Sequence, residues 1–142
     1  MRHTRGNTLL ELVIVLAMTG LLLGIVGPPA AAMMDRAAVR AAGDDLVTWF
    51  ARARREALAR RRPVWLVLDT LHRRALLRVP GVGTRTRPLG SIYGVTLSVT
   101  RDSMAYDARG FGYGAANLTV VLSRGRVNES VIVSRLGRVR RQ

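Results

Sequence analysis

Apolar residues follow three rhythms along this chain, and each predicts a different element. Over residues 12–34 no ionisable residue occurs and Leu, Val, Ile, Ala and Met dominate. Such a run predicts a helix that, at about 1.5 Å per residue, is long enough to cross a hydrocarbon layer roughly 30 Å thick. Over residues 35–62 the apolar positions narrow to one stripe, Ala38, Ala42, Leu46, Trp49, Phe50, Ala53 and Ala57. That spacing keeps one helical face buried. Beyond Pro63 come short runs rich in β-branched residues, which predict strands. Residues 64–69 and 75–79 read as a hairpin around residues 70–74, and residues 95–100, 103–107, 118–123 and 130–134 follow as further strands.

The interruptions fit this division. Pro28-Pro29 predicts a break in the apolar helix, and Pro63 ends the amphipathic one. Residues 80–83 (Pro-Gly-Val-Gly) and the Gly110-Phe111-Gly112-Tyr113-Gly114 stretch read as connections between strands. One membrane segment and one small domain fill a chain of 142 residues. The expected class is α+β: a long amino-terminal helix, its first half membrane-spanning, packed on an antiparallel β-sheet.

Charge at the amino terminus sets a direction. Arg2 and Arg5 precede the apolar run, and the positive-inside tendency keeps them cytoplasmic, which sends the carboxyl-terminal domain to the periplasmic side of the inner membrane. A cleaved secretory signal ending near Ala30-Ala31-Ala32 is the rival reading. The run exceeds the 7–15 residues usual for such signals, and Glu11 stands at its start. A carboxylate at membrane depth costs about 2.5–3.5 kcal/mol on lenient scales, so Glu11 needs either the interface or a partner.

The string Gly6-Asn7-Thr8-Leu9-Leu10-Glu11-Leu12 resembles the processing site of type IV prepilins and type II secretion pseudopilins. The resemblance implies that a prepilin peptidase cuts between Gly6 and Asn7 and methylates the new terminus. It implies also that Glu11 neutralises the amino terminus of a neighbouring pilin or pseudopilin in a filament. Asn7 departs from the pattern, which usually has phenylalanine there. Four segments follow: a leader over residues 1–6, the membrane half of the helix over 7–34, its amphipathic half over 35–62, and the sheet domain over 63–142.

Later stretches lean toward one branch of the superfamily. Ala53-Arg54-Arg55-Glu56-Ala57, passing through Arg62-Pro63-Val64 to Asp69, resembles the helix-to-strand passage of the pseudopilin H and FimT group. The ending Val131-Ile132-Val133-Ser134-Arg135-Leu136-Gly137-Arg138-Val139-Arg140 does so too. Two functions are implied: a pseudopilin H-like subunit of a type II secretion system, serving protein secretion, or a FimT-like minor pilin that captures DNA during natural transformation.

Composition bears on that choice. Twenty-three arginines, with no lysine, face nine acids, a formal charge of +14. Such an excess favours polyanionic partners, although solvation or compositional bias accounts for part of it. Arg135, Arg138, Arg140 and Arg141 gather around Gly137 and offer planar forks suited to phosphate, hence a candidate DNA site; an edge strand guarded by charge is the structural alternative. Catalysis is not expected. His72 sits in a turn beside Arg73 and Arg74, no His, Asp or Glu cluster has metal-ligand spacing, and the glycine stretch lacks a phosphate-loop register. With no cysteine, thiolate metal sites are excluded, and no cofactor is implied.

Overall fold

The computed structural model describes residues 8–113, 117–134 and 136–142, with residues 25–29 and 113 described by backbone alone. Two compact units result, Met1–Met34 and Asp35–Gln142. Helix α1 runs Leu9–Arg60 and contributes to both. The helix continues through Pro28-Pro29, so the expected interruption is corrected. Proline's fixed φ is itself helical, and two prolines remove only two of the ladder's hydrogen bonds.

In the first unit the apolar side chains are exposed all round, Leu9 at 82%, Leu16 at 62% and Leu23 at 69%. The Thr19 hydroxyl is satisfied within the helix, donating to the Val15 carbonyl at 2.7 Å. Among the described residues no helix is long and apolar enough to cross a membrane.

In the second unit α1 meets two antiparallel sheets instead of the single one expected. Strands β1 (Val64–Asp69), β2 (Arg74–Val79), β3 (Gly83–Arg87), β5 (Ser103–Tyr106) and β6 (Gly112–Tyr113) form one, in the order β3-β2-β1-β5-β6. Strands β4 (Thr96–Val99), β7 (Leu118–Arg124), β8 (Val127–Val133) and β9 (Val139–Arg141) form the other, in the order β4-β7-β8-β9. The chain changes sheets within two residues. Thr100 N–H still donates to Thr119 of the second sheet at 3.0 Å, whereas the Asp102 carbonyl already accepts from Leu68 of the first at 2.6 Å. A five-residue helix α2 (Leu89–Tyr93) bridges β3 and β4.

Alternation decides what each strand buries. Val64, Leu66 and Leu68 on β1 and Ala75, Leu77 and Val79 on β2 turn inward, as do Leu118, Val120 and Leu122 on β7. They join Val39, Ala42, Leu46, Trp49, Phe50, Ala53 and Ala57 of α1 in one core. Val39 takes the place expected for Ala38, which stays half-buried. Leu46 and Phe50, both at 0% exposure, are among the bulkiest side chains wholly inside that core.

His72 lies in the β1–β2 turn, where it caps and is capped by Asp69. Asp69 Oδ1 accepts the His72 N–H at 3.0 Å, and its Oδ2 lies 2.8 Å from His72 Nδ1 and 2.9 Å from Arg74 Nε. The backbone donor above all, helped by Arg74 and the imidazole, holds the Asp69 carboxyl down at about 2. A turn fastened in this way occupies His72 locally.

Candidate functional site

The carboxyl-terminal hairpin positions the arginines singled out in the sequence. Strand β9 pairs with β8 through Val133–Val139, Ile132–Arg140 and Val131–Arg141, and Ser130 and Gln142 exchange two bonds of 2.9 Å. The intervening turn is closed by Ser134: its carbonyl accepts from Gly137 N–H at 2.8 Å, and its hydroxyl oxygen accepts from Arg138 N–H at 3.1 Å. Gly137 has φ +75°, and a Cβ there would stand 3.1 Å from Tyr106 Cε1 and 3.3 Å from the Gly110 carbonyl. Its place in the motif is therefore steric. It seats the turn on a buried tyrosine.

That tyrosine is itself unusual. Tyr106 is fully buried and its hydroxyl has no hydrogen-bond partner among the described residues. Burial pushes its pKa up to about 12, so the ring stays neutral and acts as packing.

Pleating then sorts the arginines. Arg138 and Arg140 fall on one side of the hairpin, whereas Val139 and Arg141 fall on the other. Arg138 and Arg140 line a groove of about 650 Å³ together with Arg54 of α1, Asn117, Ser134 and Leu136. Among the described residues no carboxylate lines it. Arg141 turns toward α1 instead and is held by Asp44 and by Glu129 of β8. Arg135 lies outside the described residues. The four described residues of the five-residue candidate site thus divide into two groove arginines, one glycine that shapes the turn, and one arginine paired inside the chain.

Arg141 belongs to a set of three clasps that hold α1 against strand ends. Asp35 Oδ1 receives Arg124 Nε at 2.9 Å, and Arg124 Nη1 also donates to the Tyr93 carbonyl at 2.6 Å. Asp45 Oδ2 receives Arg87 Nε at 2.6 Å and the Tyr93 hydroxyl at 3.1 Å. Gly125, at the β7–β8 turn, admits the first clasp closely: a Cβ there would lie 2.5 Å from Asp35 Oδ2. Together these pairs fasten α1 to the ends of β3, β7 and β9.

At the other end of α1, Gly6 and Asn7 lie outside the described residues. Glu11 is exposed in the first turn, and its N–H donates to Thr8 Oγ1 at 3.3 Å. This is half of a capping box, in which a Thr-x-x-Glu spacing satisfies the helix's first free donors. Sequence reading gave Glu11 its intermolecular role and missed this local one, although Thr8-Leu9-Leu10-Glu11 carries the signature. Arg54 was missed for a different reason. Residues so far apart in the chain leave no spacing to read.

Comparison with known proteins now bears on both ends. The family described as the prokaryotic N-terminal methylation motif matches residues 1–27. Among solved structures the chain is similar to the type IV minor pilin FimU of Pseudomonas aeruginosa strain PAO1, with a TM-score of 0.63 at 15% identity, covering 78% of this chain and 92% of that one. It is similar as well to the minor pseudopilin EpsH of the type 2 secretion system of Vibrio cholerae, with a TM-score of 0.57 at 13% identity, covering 73% and 95%. No curated protein sequence matches. The head of the chain thus carries a methylation motif, and its fold is similar to that of a minor pilin and of a minor pseudopilin.

Proposed function

We propose that the chain is a filament subunit of the minor pilin or pseudopilin kind, cut by a prepilin peptidase between Gly6 and Asn7 and held in the inner membrane by the apolar run up to Met34. Its carboxyl-terminal domain stands on the periplasmic side, and Glu11 neutralises the amino terminus of a neighbouring pilin or pseudopilin. The observation that carries this reading is the methylation motif at the head of a helix whose apolar side chains are exposed on every face. Such a helix needs apolar surroundings, lipid at first and other helices after assembly. Its work is assembly, with no cofactor. In its secretion form the reading makes the chain a pseudopilin H-like subunit of a type II secretion system, supported by the likeness to EpsH.

Mass spectrometry of the full chain from a host that expresses a prepilin peptidase tests the reading. The expected mass lacks residues 1–6 and carries a methyl group on Asn7. An intact Met1, or a terminus near Ala32, overturns it.

The groove favours a second reading, DNA capture of the FimT kind, because Arg54, Arg138 and Arg140 converge there with no carboxylate among the described lining. Electrophoretic shift of duplex DNA by the full chain in neutral detergent, repeated over a series of salt concentrations, checks it. Arg138→Ala with Arg140→Ala is expected to weaken binding and to flatten the log–log salt dependence by about 1.8, near 0.9 for each phosphate left unneutralised. Equal binding by the double variant removes this reading.

A further inference from the structure

A second basic concavity, on another part of the Asp35–Gln142 unit, has no part in the reading of the carboxyl-terminal groove. About 430 Å³ in volume, it is lined by Arg36 and Arg40 of α1 and by Asn128 of β8, over apolar walls made by Val39 and Val127. Val39 is buried at 1% exposure and Val127 packs against the core, so these walls are firm. Arg141, Glu129 and Gln142 complete the lining, and there the Glu129 acid is already satisfied, since it receives Arg141 Nε. The nearby Asp44 is held by the same arginine, and Asp35 by Arg124. Among the described ion pairs none involves Arg36 or Arg40, and both are exposed.

Two guanidiniums at i and i+4 on one helix repel each other, and an anion between them removes that repulsion. Their forks match the tetrahedral oxygens of a phosphate, Asn128 adds a neutral donor, and Val39 and Val127 accept an apolar remainder. A bare inorganic anion makes no use of those walls. The chain also constrains where the site is: Arg36 and Arg40 follow Met34 by two and six residues, a tether of at most roughly 20 Å even when fully extended.

We propose that this groove binds phosphate, and that its ligand is the headgroup of an anionic glycerophospholipid in the membrane holding the apolar run. The assignment rests on the membrane anchorage proposed above. Basic residues within such a tether of an anionic lipid surface meet headgroups at high effective concentration, whereas free phosphate has no such advantage.

Isothermal calorimetry on the full chain in neutral detergent reads the site, with dihexanoyl phosphatidylglycerol, dihexanoyl phosphatidylcholine and inorganic phosphate as separate probes. The phosphatidylglycerol analogue is expected to bind about tenfold more tightly than either of the others. Arg36→Gln with Arg40→Gln is expected to erase that preference, while Arg85→Gln on the exposed strand β3 keeps it; circular dichroism establishes that each variant is folded. An undiminished preference in the double variant overturns the site, and equal binding of inorganic phosphate overturns the lipid assignment. Flotation with phosphatidylcholine vesicles separates the two layers of argument. A chain that floats yet prefers no lipid sinks the site and leaves the anchorage standing; a chain that fails to float sinks the anchorage and the lipid assignment with it.

Discussion

Phe50→Ala is expected to lower the thermal unfolding midpoint of the Asp35–Gln142 unit by roughly 12–25 °C, a loss of about 3–5 kcal/mol. The ring is fully buried on the α1 face that both sheets share, beside Leu46, Trp49 and Ala53. Its removal leaves a cavity between layers whose backbones are pinned by strand pairing and by the Asp–Arg clasps, so collapse around it is limited. A domain of this size has a total stability of about 5–15 kcal/mol, which makes the loss a large share. Phe50→Leu, which keeps most of the volume, is expected to cost no more than about 1.5 kcal/mol. Circular dichroism melting of the full chain in neutral detergent measures both, and a shift of only a degree or two for the alanine variant would remove Phe50 from the centre of the core.

Gly137→Val is expected to cost about 3 kcal/mol or more through two independent effects. A β-branched residue at φ +75° is strained by roughly 1–3 kcal/mol, and its Cβ meets the Tyr106 ring at 3.1 Å and the Gly110 carbonyl at 3.3 Å. Neither neighbour has room to yield, because Tyr106 is fully buried and the Gly110 contact is backbone. Gly137→Asn separates the effects: asparagine tolerates the left-handed region, so its deficit reports the steric part. If the valine variant melts with the parent, the turn does not sit on Tyr106 as described. If both variants melt low but still bind DNA, Arg138 and Arg140 do not depend on this seat.

Legibility in the sequence followed burial. The stripe of α1 and the inward residues of β1, β2 and β7 were readable because one face is apolar and the period is plain. Strand β3 was not, since Gly83-Thr84-Arg85-Thr86-Arg87 has no apolar face and is a strand only through its pairing with β2. For β9 a charge-guarded edge strand was one of two readings, and the register with β8 at the edge of the second sheet makes Val139-Arg140-Arg141 that strand. The second sheet was hidden in a crossing of two residues at Thr100 to Asp102, which no periodicity announces. Among the candidate residues, clustering in the chain put Arg138, Arg140 and Arg141 together, and the pleat of the hairpin parted them. Glu11 was legible because an acid beside an apolar run is conspicuous, whereas the acids that do most for the domain, Asp35, Asp44 and Asp45, look ordinary on a helix surface.

Those acids set the stoichiometry this chain tolerates. All eight carboxylates after Met34 are engaged inside the chain, by an arginine, a histidine, a hydroxyl or backbone N–H groups. What the domain turns outward is therefore overwhelmingly positive. Two copies brought side by side oppose arginine to arginine, with few acids such as Asp102 and Asp107 to interleave, and the repulsion recurs at each repeat. A homopolymer accumulates that cost along its length, while a copy placed singly among acidic neighbours converts the same arginines into attraction. In the filament proposed above, the balance of charge thus favours sparing use of this chain, one copy at a time.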